Sequence, residues 1–94
     1  MAKIEERWTK QALEDLESAR EYILEENPDL LSSTIEQILS AIEQIKKFPE
    51  SGRQGRVKQT RELLLTTIPF AIVYRKKKNI LEILAFLHQS RKWP

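Results

Sequence analysis

An α+β fold is what the sequence predicts, and three observations predict it. Two stretches in the first half repeat apolar residues at helical spacing. Three segments in the last third are short, rich in β-branched and aromatic residues, and separated by turn residues. Both glycines of the chain, Gly52 and Gly55, fall between these halves. Helices followed by consecutive strands give a helical hairpin packed on a small antiparallel β-sheet. The 94 residues are expected to form a single domain, 1–94.

The elements follow in order. "KIEERWT" alternates, with Ile4, Glu6 and Trp8 on one side and Glu5 and Arg7 on the other, as in a short first strand. Thr9 is an N-cap for a helix whose apolar positions are Ala12, Leu13, Leu16, Ala19 and Ile23. Glu14, Glu17, Glu21 and Glu25 lie opposite, in solvent, and Tyr22 lies on the flank. Pro28 ends that helix and suits the first turn of the next, with Asn27 as cap. Leu31, Ile35, Ile38, Ile42 and Ile45 form the second stripe, which Leu39 widens, and Pro49 stops it after Phe48. "PESGRQGRVKQ" reads as a flexible basic loop whose glycine spacing does not match a phosphate-binding loop.

Three strands follow: "TRELLLT", then "FAIVYR" with Pro69 at its entry, then "ILEILAFLH" after the turn "KKKN". The middle strand is apolar on both faces, as an interior strand should be. Strict alternation on the last puts Leu81, Ile83, Ala85 and Leu87 on one face and Glu82, Leu84, Phe86 and His88 on the other.

Composition excludes several classes. Without cysteine there is no disulfide framework or thiolate site, and the lone His88 cannot build a histidine metal centre, so neither metal nor cofactor is expected. No run approaches 18 apolar residues, and acids occupy the N-terminus where a signal peptide needs an apolar stretch, so no membrane contact and a cytoplasmic location are expected. Residues 1–50 carry 6 Lys/Arg against 12 Asp/Glu, a net −6, while residues 51–94 carry 10 against 2, a net +8. The basic half either meets an anionic partner or simply sits beside acidic helices.

The candidate residues lie in that basic half. Cleavage of RNA through its 2′-hydroxyl needs a base, an acid and a cation for the developing charge. His88 and Glu62 are candidate acid and base, and Arg61, Arg75 and Arg91 candidate phosphate holders. Each has a plainer reading. His88 ends a strand and can bond backbone, Glu62 can pair with a basic neighbour, and "RKKK" at 75–78 can be a solvated hairpin. Trp93, next to Lys92, can stack on a base or pack back onto the body.

Four segments carry a family resemblance in order and spacing: "ALEDLESAREYILEENP", "IEQIKKFPESGRQGRV", "TRELLLTTIPFAIVYR" and "ILAFLHQSRKWP". The chain resembles the RelE/ParE superfamily of type II toxin–antitoxin toxins, also called plasmid stabilisation proteins, over nearly its whole length. The resemblance implies the same helical hairpin on a small sheet. RelE-like members cut mRNA on the ribosome, whereas ParE-like members poison DNA gyrase. The RelE pattern has alternating basic residues on the strand before the hairpin and an arginine after the next aromatic. The matching positions here are Glu62, Leu64 and Ala71. A further RelE arginine falls near Ser90 or Arg91, the RelE tail tyrosine has no counterpart, and a terminal histidine used by other nuclease branches matches His88. The resemblance is therefore closer to ParE-like members.

It implies a non-enzymatic gyrase inhibitor, with Arg61, Arg75, His88, Arg91, Lys92 and Trp93 as target-binding candidates. The alternative is a ribosome-dependent mRNA endonuclease using His88, Arg91, Arg61 and Glu62, with the ribosome and mRNA as partners. A third reading is a decayed toxin kept as an antitoxin-binding module. All three imply a cognate antitoxin whose disordered segment folds on the toxin, with DNA contacted only through the toxin–antitoxin complex. The apolar stripe turned away from the sheet and the groove beside the first helix are the candidate docking places.

Overall fold

The computed structural model describes residues 3–91 and Trp93. In chain order it shows β1 (Glu5–Trp8), α1 (Lys10–Glu26), a 3-10 turn (Pro28–Leu30) and α2 (Leu31–Lys47). A second 3-10 turn (Pro49–Ser51), β2 (Arg53–Gln54), β3 (Arg61–Leu64), β4 (Phe70–Lys77) and β5 (Ile80–His88) follow. The α+β class and the helical hairpin stand as expected. The sheet runs β1-β5-β4-β3-β2, with β2 to β5 antiparallel and β1 parallel to β5, so it is mixed rather than purely antiparallel. The mixed pairing arises because the helical hairpin returns the chain to the far side of the sheet and leaves the β5 edge for β1.

Thr9 binds three parts of the fold together. Its Oγ1 accepts the Ala12 N–H at 3.0 Å and caps α1. The same hydroxyl donates to the Leu84 carbonyl at 3.0 Å, and the Thr9 N–H donates to the Ile83 carbonyl at 3.1 Å. Asn27 does not cap α2. Its backbone N–H closes α1 on the Ile23 carbonyl, and α2 is entered from the 3-10 turn with no side-chain cap. Lysines 46 and 47 close α2, where cations favour the carbonyl end of the helix dipole.

The carbonyls of Ile83 and Leu84 are reachable because β5 bulges there. Val73 faces Ala85 but Tyr74 faces Ile83, so Leu84 is an extra residue. The bulge corrects the facing expected from strict alternation. Leu81, Ile83 and Phe86 all join the core under the helices, while Leu84, Ala85 and Leu87 belong with Val73 on the opposite side. His88, two residues after Phe86, follows it to the helix side.

The main core joins Ala12, Ala19 and Ile23 of α1 and Ile38, Ala41, Ile42 and Ile45 of α2 to Phe70, Ile72 and Tyr74 of β4. Burying each large apolar side chain stabilises the fold by about 1.5–3 kcal/mol. Part of the expected stripe lies outside it. Leu13, Ile35 and Leu39 are 54%, 50% and 61% exposed, and Thr34 and Ala41 are buried in their place. The hairpin thus rolls further onto the sheet than the large apolar residues indicate, because its small residues make the close contact.

On the opposite face Val73, Leu84 and Ala85 form a small cluster covered by Leu87 and Trp93. Cross-strand ion pairs flank it, Arg53–Glu62 at 3.1 Å and Arg75–Glu82 at 2.6 Å. On the helix side, Glu6 of β1 meets Lys46 of α2 at 3.0 Å. The Trp8 indole N–H, donating to Glu6, is the largest cause holding that carboxyl below its ordinary range, with Lys46 adding to it. The same hydrogen bond to Glu6 raises the Lys46 ammonium.

The loop before β3 is more ordered than its composition suggests. Arg53 and Gln54 pair with Glu62 and Arg61 as β2. The Tyr74 hydroxyl, buried in the core, donates to the Pro49 carbonyl at 2.6 Å and accepts the Gly52 N–H at 3.0 Å. A Cβ on Gly52 would stand 2.7 Å from that hydroxyl, which is why glycine is needed there. Buried Thr60 holds the rest, donating its hydroxyl and its N–H to the Val57 carbonyl at 2.6 and 3.1 Å. Among the described residues no helix is long and apolar enough to cross a membrane.

Candidate functional site

The nominated residues do not gather at one basic end of the sheet. They divide between the two ends of β4. Arg61 faces Tyr74 across β3 and β4, and Arg75 is the next residue along. Phe70, at the other end, faces His88. Arg75 lies five residue steps along the strand from Phe70, about 17 Å at roughly 3.3–3.4 Å per step. Side chains from a strand pair with their neighbours in register, not with all cations in the same half of the chain.

At the His88 end, four rings meet. Phe70 and Phe86 stack with centroids 5.1 Å apart. His88 stands edge-on to Phe70 at 5.5 Å, and Tyr22 of α1 edge-on to Phe70 at 5.8 Å. These geometries suit the quadrupoles of aromatic rings. A cleft of about 310 Å³ opens here between α1 and the end of β5, with Asp15, Ser18 and Tyr22 on one wall and His88 and Arg91 on the other. β1 pairs with β5 only as far as Ile83, so the β5 edge beyond it faces this cleft. Asp15 covers part of it, accepting the Phe86 N–H at 3.1 Å.

His88 has a defined hydrogen-bonding state. The Ser90 N–H donates to its Nδ1 at 3.1 Å, and the Ser90 hydroxyl lies 2.8 Å from the same nitrogen. A ring nitrogen that accepts a backbone N–H carries no proton, which puts the neutral ring's proton on Nε2. In the neutral ring the other nitrogen, Nε2, then donates and does not accept, a state suited to binding an anion or carbonyl rather than to removing a proton.

On the other face of the sheet Arg53, Glu62, Arg91 and Trp93 surround a second cleft, which the strand end at His88 also borders. It contains only about 10 Å³, because Trp93 packs back on the Val73 cluster. That volume holds about one water molecule, not a nucleotide. Glu62 accepts from Arg53, so its carboxylate is tied within the sheet. Leu64 and Ala71 hold the other two positions at which the nuclease pattern has cations. Lys92, also nominated, lies outside the described residues.

At the opposite end Arg61, Arg75 and Lys76 line a polar cleft of about 260 Å³ with Glu50 and Gln59. Arg61 donates to the Gly52 carbonyl at 2.9 Å, and Arg75 donates twice to Glu82. Sequence reasoning missed Asp15, Phe70 and Gln59 as site-lining residues. Asp15 had a signal: it falls between Ala12 and Ala19 on the row that becomes the buried face of α1. Among the described residues no group of His, Cys, Asp or Glu side chains is placed to hold a metal ion.

A helical hairpin over a five-stranded mixed sheet has a counterpart among solved structures. It matches a chain from "Chromosomal ParDE TA system from P. aeruginosa" with a TM-score of 0.75 at 23% identity, over 90% of this chain and 95% of that one. At that identity the likeness concerns the fold. In sequence, the chain is 40% identical over 88 residues to the Sinorhizobium fredii protein named "Putative toxin Y4kP", covering 94% of this chain and 91% of that protein. The family model described as "ParE toxin of type II toxin-antitoxin system, parDE" matches residues 7–93. The chain belongs to this family of ParE toxins. Membership implies an antitoxin partner.

Proposed function

We propose that this toxin inhibits DNA gyrase by binding it, without catalysis, in the cytoplasm, and that a cognate antitoxin neutralises it. The observation that carries the non-enzymatic reading is the outer cleft. Glu62, His88 and Arg91 border it, yet Trp93 fills it and Arg53 engages the one carboxylate. His88 with its proton on Nε2 is also no ready base. Binding to the target falls to half-buried Arg61 and Arg75 at one end and to His88, exposed Arg91 and half-buried Trp93 at the other, with Lys92 beside them in the sequence.

The antitoxin has two surfaces suited to a segment that folds on binding. One is the cleft beside α1, with an aromatic floor and Arg91 at its rim. The other is the exposed face of α2, where Ile35 and Leu39 stand one helical turn apart and Phe48 is 65% exposed. Supercoiling by purified gyrase tests the function. Inhibition at micromolar toxin, reversed by the antitoxin, is expected. Unimpaired supercoiling together with blocked translation would replace this reading by the mRNA endonuclease. In that case His88→Ala and Arg91→Ala would each have to abolish mRNA cleavage.

A further inference from the structure

The cleft lined by Arg61, Arg75 and Lys76 has chemistry that neither antitoxin docking nor the closed outer cleft uses. We infer that it binds the phosphodiester backbone of duplex DNA, so that the toxin grips DNA itself and not only through the antitoxin. This extends the gyrase reading, which supplies the duplex.

The cations are numerous, local and held. Residues 53–61 carry four cations and no acid, and residues 75–78 are four consecutive cations. Arg61, Arg75 and Lys76 project into one cleft, and only one acid, Glu50, lines it with them. Each is anchored by protein oxygens: Arg61 by the Gly52 carbonyl, Arg75 by Glu82 and Lys76 by the Lys78 carbonyl. A guanidinium has five N–H donors, so Arg61 and Arg75 both keep donors free after these contacts. Anchoring also lowers the entropy lost on binding. Arg56, Lys58, Lys77 and Lys78 stand on the adjoining loop and hairpin, and make no ion pair among the described residues.

The character of the cleft selects the ligand. An acidic peptide needs an apolar anchor to bind specifically. Tyr74 is the one aromatic residue lining this cleft, and it is 1% exposed with its hydroxyl fully engaged. The same burial removes the stacking platform that a single strand uses. What remains is a set of fixed positive charges, which is what a duplex backbone requires.

The test uses the purified chain and a labelled 20-base-pair duplex, with binding followed by fluorescence anisotropy at rising salt. Three phosphate contacts give a log–log slope of about −2.7, so affinity falls about 40-fold between 50 and 200 mM salt. Lys76→Gln, which breaks no ion pair, should reduce the slope by about 0.9. Arg61→Gln should do the same, with thermal unfolding checking its fold. Arg91→Gln, at the other end, should leave the slope unchanged. The inference is overturned by a slope shallower than about −1, or by Lys76→Gln and Arg91→Gln acting alike. Equal or tighter binding of a glutamate 20-mer or of an RNA duplex overturns it as well. Gyrase inhibition without DNA binding removes this inference alone, and DNA binding without gyrase inhibition removes the gyrase reading alone.

Discussion

The two ends of β4 are built from the same strand yet differ in almost every physical property. The Phe70 end is aromatic and covered by α1, and its cleft is shaped by ring packing and by one carboxylate on a strand edge. At the Arg75 end the ring that lines the cleft, Tyr74, is buried, and the cleft is shaped by cations held on carbonyls and a carboxylate. Apolar burial is short-ranged and shape-dependent, whereas charge acts over roughly a Debye length of 8–10 Å and depends on salt. One small sheet therefore offers a protein-like partner a fitted groove and a polyanion a charged rim. Substitutions should separate the two ends cleanly if this division holds.

The largest effect is expected at the aromatic end. Phe86→Ala removes a buried ring stacked on Phe70 and should cost about 3–5 kcal/mol in urea unfolding. It should also collapse the cleft beside α1 and weaken antitoxin binding. An equal loss of DNA affinity, in protein still folded, would break the division. Asp15→Ala leaves the Phe86 N–H without its partner and should cost about 1.5–3 kcal/mol, with Asp15→Asn milder. Hydrogen exchange at Phe86 should report the opened edge directly.

At the basic end Tyr74→Phe strands the Gly52 N–H and the Pro49 carbonyl. A cost of about 1–2 kcal/mol is expected in thermal unfolding, with β2 and the cleft around Arg61 loosened and the Tyr22 end unaffected. Thr9→Ala, between the ends, should cost about 1–2 kcal/mol through the lost cap. The smallest effect belongs to Glu6 and Lys46, a partly exposed pair worth less than about 1 kcal/mol. Its sign is definite. The Glu6 carboxyl is lowered in the folded protein, so its contribution is present above the ordinary 4.5 and is lost as pH falls through the folded value. The Lys46 ammonium is raised, so its contribution is full below 10.5 and is lost as pH rises through its folded value. Glu6→Gln should flatten the acid limb of a stability–pH curve.

Much of the fold was legible because its signals are local. Thr9 announces a helix start, Pro28 and Pro49 mark the breaks, and the apolar run from Phe70 identifies an interior strand. The parallel pairing of β1 was not legible, since nothing in "EERW" states which edge it will meet or in which direction. β2 is two residues long and leaves no periodic pattern. For the candidate site, sequence reasoning could nominate charged and aromatic residues but not how they assort. Arg61 and Arg75 come together through the β3–β4 register, and His88 and Tyr22 meet only because α1 lies over the end of β5.

The extra residue in β5 carries a consequence for comparing relatives. Before Leu84 the letters of the strand alternate between core and open face in one phase, and after it in the other. A family member with a strand of the same length but no bulge would turn the residues matching Phe86 and His88 outward, with no change in their identity. Alignments across this point can thus match amino acids whose surroundings are exchanged. The phase of the strand, more than the presence of a histidine at its end, decides whether that histidine faces the groove beside α1 or the opposite side of the sheet.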